Sequence, residues 1–150
     1  MNEIIQLNSE EKLSEHFTLG EMTKSSHSNI YNVPTHEVIY NLKNLCKWLE
    51  VLRERSGGPV RINSGYRSPQ LNKKVGGVPT SNHLTGCAAD IRVSGIEQLI
   101  RYATILLDIS DESQEDFDEL LIERSPKGNY WLHFAVRPSN NRRKIRLIQT

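Results

Sequence analysis

The chain has 150 residues, a formal net charge of +1, 25% charged residues and 37% hydrophobic ones. This composition belongs to an ordinary globular protein with room for one sizeable core, and the near-neutral balance excludes a general electrostatic pull toward nucleic acid or membrane. No run approaches the roughly 18 apolar residues of a membrane-spanning helix, and "MNEIIQLNSEEKLSEHF" at the start lacks the basic and apolar regions of a secretion signal.

The first 35 residues are polar, with short apolar pieces. Thr35 is a good helix N-cap. Apolar residues at Val38, Ile39, Leu42, Leu45, Cys46, Leu49 and Leu52 then form a 3.6-period stripe that "SGGP" at 56–59 ends, which predicts a long helix. "VRINSG" alternates like a short strand entering a turn. "YRSPQLNKKVGG" reads as a loop with a short helix started by Ser68-Pro69 and closed by Gly76-Gly77. "CAADIRV" is a strand with small residues on its packed face. Residues 95–107 are predicted helical, with Ile96, Leu99, Ile100, Ala103, Leu106 and Leu107 inward, and "DISDESQED" follows as an acidic linker. "FDELLIE" and "NYWLHFAV" are strands joined by a hairpin turn at "RSPKG". The basic "RPSNNRRKIR" at 137–146 reads as a solvated tail.

Cys46 and Cys87 sit among small or apolar neighbours and read as buried thiols rather than a disulfide pair, which fits a reducing compartment. The expected fold is α+β, a single domain over 1–150 with a small, mainly antiparallel sheet flanked by helices.

Two stretches carry chemistry. In "SNHLTGCAAD", His83 lies in a loop and Asp90 at the start of an apolar strand. A carboxylate entering a core needs a partner, because an unpaired buried charge costs several kcal/mol. A cation is one such partner; a local cap or ion pair is the other reading. In "YWLHFAV", His133 interrupts an apolar strand, either as a satisfied core histidine or as the third ligand of a His-Asp-His set. Three protein ligands and one open position is the catalytic zinc pattern. Zinc suits two imidazoles and a carboxylate, with iron, nickel and cobalt left open by ligand type.

Taken together, "INSGYRSPQLN", "SNHLTGCAAD", "FDELLIE" and "WLHFAV" resemble the zinc D-Ala-D-Ala carboxypeptidase and endopeptidase family, peptidase family M15, most nearly its endolysin-like subgroup with the hedgehog/DD-peptidase fold. Its motif Ser-x-His-x-x-Gly-x-Ala-x-Asp is matched at Ser81, His83, Gly86, Ala88 and Asp90. Gly-Tyr-Arg-Ser is matched at Gly65 to Ser68, and the aromatic-spacer-His motif at Trp131 and His133. The resemblance spans about 13–136 and includes "LSEHFTLGEMTKS".

The resemblance implies one zinc ion held by His83, Asp90 and His133, and hydrolysis of peptidoglycan stem peptides by metal-activated water. The bond would be D-Ala-D-Ala, L-Ala-D-Glu or a cross-link. It also implies Arg67 as partner of substrate and oxyanion, and Ser81 and Tyr66 along the groove, with Trp131 a groove wall or core residue.

The best-known branch has a catalytic carboxylate three residues before the last histidine, where this chain has Tyr130. Glu123 is the nearest replacement, matching a glutamate near the zinc of the hedgehog domain, and Asp118 and Glu119 compete. Strand alternation puts Glu119, Leu121 and Glu123 on one face and Asp118 on the other. Tyr130 also keeps open a non-catalytic zinc-binding module of the same fold. His16, His27 and His36 carry no expected role. The expected partners are cell-wall peptides, with no nucleic acid or membrane, for a monomer that is cytoplasmic as synthesised. It would reach the wall through a holin-type lesion or act on precursors inside.

Overall fold

A computed structural model of the chain describes residues 9–149. The reading of the N-terminus as free of a secretion signal falls partly on residues 1–8, outside the described residues. Among the described residues no helix is long and apolar enough to cross a membrane.

Helix α1 (Leu19–Thr23) is capped by Thr18, whose hydroxyl accepts from the Glu21 amide, and it buries Leu19 and Met22. The polar N-terminal region thus contributes Leu13, Phe17, Leu19 and Met22 to the core. Helix α2 (His36–Ser56) starts at the Thr35 cap and ends at Gly57, which takes the left-handed conformation that terminates helices. It buries the predicted stripe except for the half-buried Ile39, and adds Trp48, whose ring lies 5.5 Å from Phe134. Strand β1 (Ile62–Ser64) leads to α3 (Pro69–Lys74), with Ser68 as its cap and Pro69 in its first turn. A 3₁₀ turn (Asn82–Thr85) precedes β2 (Ala88–Arg92).

Helix α4 (Ile96–Ser113) runs six residues beyond its expected end, so the acidic segment that reads as a linker begins as helix. Ile109 and Ser110 are buried, while Asp111 and Glu112 face solvent. The buried face is Leu99, Tyr102, Leu106 and Ile109; Ile96 and Ile100, expected inward, are about half exposed on its flank.

Strands β3 (Glu119–Arg124) and β4 (Tyr130–Ala135) form the predicted hairpin. The basic tail then departs from expectation. Residues Lys144–Gln149 form β5, parallel to β3, and Arg142 and Arg143 are paired with carboxylates rather than solvated.

The five strands are ordered β1-β2-β4-β3-β5, all pairs antiparallel except β3 with β5. This is an α+β fold with a mostly antiparallel sheet. One sheet face, carrying Ile62, Ala89, Ile91, Leu120, Leu132 and Phe134, joins residues of α1, α2 and α4 in the hydrophobic core. The register places Asp90 beside His133, His133 beside Leu121, and Ser64 beside Asp90. Those side chains stand on the other face, where the polar chemistry collects. Both cysteines are buried and free.

Candidate metal centre

Helical and strand register bring His83, Asp90 and His133 together although they are spread over the middle of the chain. All three are buried, and one ligand atom from each lies within 4.8 Å of the others. Asp90 Oδ1 is 3.3 Å from His83 Nε2 and 3.1 Å from His133 Nδ1. Metal–ligand bonds of 2.0–2.1 Å in a tetrahedron would separate ligand atoms by about 3.3 Å, so these spacings fit a small tetrahedral cation.

The local sequence sets the ring orientations. Ser81 caps the 3₁₀ turn by accepting from the His83 amide at 3.1 Å. Gly86 ends that turn at φ +76°, where a Cβ would come within 2.7 Å of the Val38 carbonyl, so the motif glycine is required twice over. His83 Nδ1–H donates to the Gly65 carbonyl at 2.6 Å, which leaves Nε2 facing Asp90 with its lone pair. Gly65 itself lies against the Met22 backbone, where any side chain would collide.

His133 is oriented from the opposite side. Its Nε2 lies 3.0 Å from Glu119 Oε1, so a carboxylate fixes the tautomer that turns Nδ1 toward Asp90. Asn82 Nδ2 donates to the same Glu119 oxygen at 2.7 Å. Arg67 closes the ring, donating to Asp90 Oδ2 at 3.1 Å, Ser64 Oγ at 3.2 Å and Asn72 Oδ1 at 3.4 Å.

The electrostatics favour a bound cation. Burial disfavours the Asp90 charge, but the imidazoles of His83 and His133 outweigh it and hold the carboxyl well below the usual carboxylate range. Burial likewise opposes charge on His133, yet the hydrogen bonds to Asp90 and Glu119 push its pKa up to about 9. A pocket that draws a proton onto a buried imidazole near neutral pH is one that a divalent cation can occupy by displacing that proton. The donor set therefore fits zinc.

The two glutamates of β3 share the site face but differ in state. Burial raises the Glu119 pKa, but the hydrogen bond and charge of His133 and the Asn82 amide overcome it and lower the group. Glu123 is raised instead, chiefly by burial and then by the Asp90 charge, with His133 and the Trp131 N–H pulling back. Trp131 Nε1–H donates to Glu123 Oε2 at 2.7 Å, across the β3–β4 register that pairs the two residues. Asp118 lies elsewhere: fully buried, it accepts from Arg142 and Asn82 beyond the ligand cluster. Tyr66, expected along the groove, is buried in the core at 6% exposure, its amide donating to the Met22 carbonyl.

A family model described as Peptidase M15 matches residues 15–111. The chain belongs to the M15 peptidase family. The matched stretch contains Arg67, Ser81, His83 and Asp90 and stops before β3, so His133 and the β3 glutamates of this M15 peptidase lie beyond it. No curated protein matches the chain.

Sequence reasoning missed Glu119 as the partner of His133 and treated it as a rival base. The strand alternation already put Glu119 on the site face; only the pairing of β3 with β4 shows which ring nitrogen it meets. Asn82, next to His83 in the motif, was likewise unmarked.

Proposed function

We propose that this M15 peptidase is a zinc-dependent hydrolase of peptidoglycan stem peptides, cutting a D-Ala-D-Ala, L-Ala-D-Glu or cross-link amide. The observation that carries the reading is the buried His83–Asp90–His133 cluster with Glu123 on the same sheet face. His83 Nε2, Asp90 Oδ1 and His133 Nδ1 would hold the ion. When bound, the ion supplies Lewis acidity to a water molecule and to the scissile carbonyl.

The chain's own residues do the rest. Glu123 takes the proton from the attacking water and passes it to the leaving amine; a carboxyl raised by burial suits a group that must accept and then release a proton. Trp131 holds that carboxylate in place through its N–H. Glu119 keeps His133 in the tautomer that ligates. Arg67 commits three of its five N–H donors to Asp90, Ser64 and Asn72, which leaves two for the charge that develops on the carbonyl oxygen. The Ser81 hydroxyl hydrogen is available to a substrate carbonyl, since its oxygen already accepts from His83. The reading is completed by a monomer that reaches the wall through a holin-type lesion.

The test is digestion of purified peptidoglycan by wild type, Glu123→Gln and His83→Ala, with mass spectrometry of released peptides and metal analysis of each preparation. Defined fragments from wild type, lost in Glu123→Gln with about one zinc retained, support the reading, and the fragment masses name the bond. Zinc bound without cleavage of wall or soluble stem peptides would replace it with a non-catalytic zinc-binding module. Activity surviving in Glu123→Gln would remove Glu123 as the base.

A further inference from the structure

On the site face, the row of side chains beside Asp90–His133–Leu121 is Arg92–Trp131–Glu123, fixed by the pairings Arg92 with Trp131 and Trp131 with Glu123. Arg92 thus stands on the candidate base's row, two residues along β2 from the Asp90 ligand. Other arginines near the site are committed: Arg67 to Asp90, Arg137 and Arg142 to Asp118. The Arg92 guanidinium, by contrast, makes no hydrogen bond or ion pair among the described residues.

Across β1, the Arg92 amide donates to the Arg61 carbonyl at 2.9 Å, while the Arg61 charge acts on the Glu21 carboxylate.

The space beside them is open. A cavity of about 420 Å³ is lined by Asn63, Arg92, Ser94, Asn129, Tyr130 and Trp131. A second cavity of about 420 Å³, lined by Arg61, Arg92, Gln98 and Tyr102, shares the Arg92 side chain. The first reaches the Trp131 ring whose N–H holds Glu123. A larger cavity of about 510 Å³, between the end of α2 and α4, is lined by none of the residues of the metal centre.

Resting on the peptidase reading, we propose that Arg92 and its cavity form a subsite for a free carboxylate of the substrate, and so select acidic peptides. The spacing sets where that carboxylate lies. Strands about 4.8 Å apart put Arg92 about 10 Å from Glu123 across the sheet, and about 7 Å from Asp90 along the strand. An extended peptide advances about 3.3–3.6 Å per residue. The carboxylate is therefore about two to three residues from the amide that is cut. Trp131 separates the two functions, one edge against the subsite and its N–H on the base.

The experiment uses paired stem peptides, identical except that the carboxylate at that distance is free or converted to the primary amide. Hydrolysis and calorimetric binding are measured for wild type, Arg92→Gln and Arg92→Lys, all zinc-loaded. Wild type is expected to show a KM at least ten-fold lower for the acidic peptide. Arg92→Gln should raise that KM about ten-fold while leaving kcat, and the KM of the amide peptide, within two-fold; Arg92→Lys should recover part of the loss. Equal KM values for the two peptides in wild type, or an equal rise for both in Arg92→Gln, overturns the subsite.

Calorimetry separates this failure from failure of the peptidase reading. Arg92-dependent preference for the acidic peptide without cleavage keeps the subsite and removes the enzyme. Cleavage without preference does the reverse.

Discussion

Asp90 and Asp118 are both buried carboxylates of one small sheet, and their neighbours divide them. Asp90 shares its Oδ1 between two imidazoles at 3.1 and 3.3 Å, groups that can exchange a proton for a metal. Asp118 is saturated by donors that exchange nothing. Its Oδ1 accepts from the Arg142 amide and Nε at 3.0 Å, and its Oδ2 accepts from Arg142 Nη2 at 2.8 Å and Asn82 Nδ2 at 2.7 Å. Burial alone therefore does not mark a functional acid. The partners of each oxygen do: both oxygens of Asp118 are taken by guanidinium and amide donors, whereas Asp90 gives Oδ2 to Arg67 and keeps Oδ1 between two imidazoles that could share a cation with it.

The difference predicts different failures. Asp90→Ala should give the largest effect: zinc content falling from about one to under one-tenth per chain, with hydrolysis lost and the fold retained by circular dichroism. Full zinc occupancy in this variant would erase the distinction between the two aspartates. Asp118→Ala should instead keep its zinc and lose stability by about 2–4 kcal/mol. That is below the usual cost of breaking a buried pair, because Arg137 and Arg142 can still reach water. Thermal unfolding should register a Tm lower by roughly 5–15 °C.

Glu119→Gln tests the link between the regions, since Asn82 bridges Asp118 and Glu119. Loss of the carboxylate behind His133 should weaken zinc binding about 10- to 100-fold in a competition assay with a chromophoric chelator. An unchanged affinity would mean that Glu119 does not orient the ligand. The smallest effect is on pH dependence. Burial opposes the Asp118 charge, but Arg142 and Asn82 outweigh it and lower the carboxyl to about 2. A folded-state pKa below the unfolded one contributes stability that is present above about pH 4 and lost as pH falls toward 2. Acid denaturation of Asp118→Asn should accordingly be shallower than that of wild type over that window.

Much of this was legible in the sequence, for physical reasons that can be named. Helix α2 declares itself because Val38 to Leu52 holds one period and its caps are explicit. His83 and Asp90 read alone fit a local cap or ion pair as well as a metal site, and the set with His133 became legible only through the family resemblance of the four motifs taken together. The end of α4 was obscured because Asp108, Asp111 and Glu112 on the solvent side masked the stripe that continues to Ile109. Strand β5 was obscured because Lys144 and Arg146 suggested a solvated tail, although they alternate with Ile145 and Leu147. Its partner β3 is twenty residues away, a pairing that local pattern does not encode. The role of Glu119 depends on strand register in the same way.

Strand β5 also bears on how the protein can be shortened. It covers the outer edge of β3, the strand that carries both site glutamates, and brings the Arg142 that neutralises Asp118. A version ending near residue 136, where the family resemblance stops, would leave β3 as a bare hydrogen-bonding edge with an unneutralised acid beneath it. Such edges recruit other chains, so the truncated protein is expected to collect in inclusion bodies while the full chain stays in the supernatant.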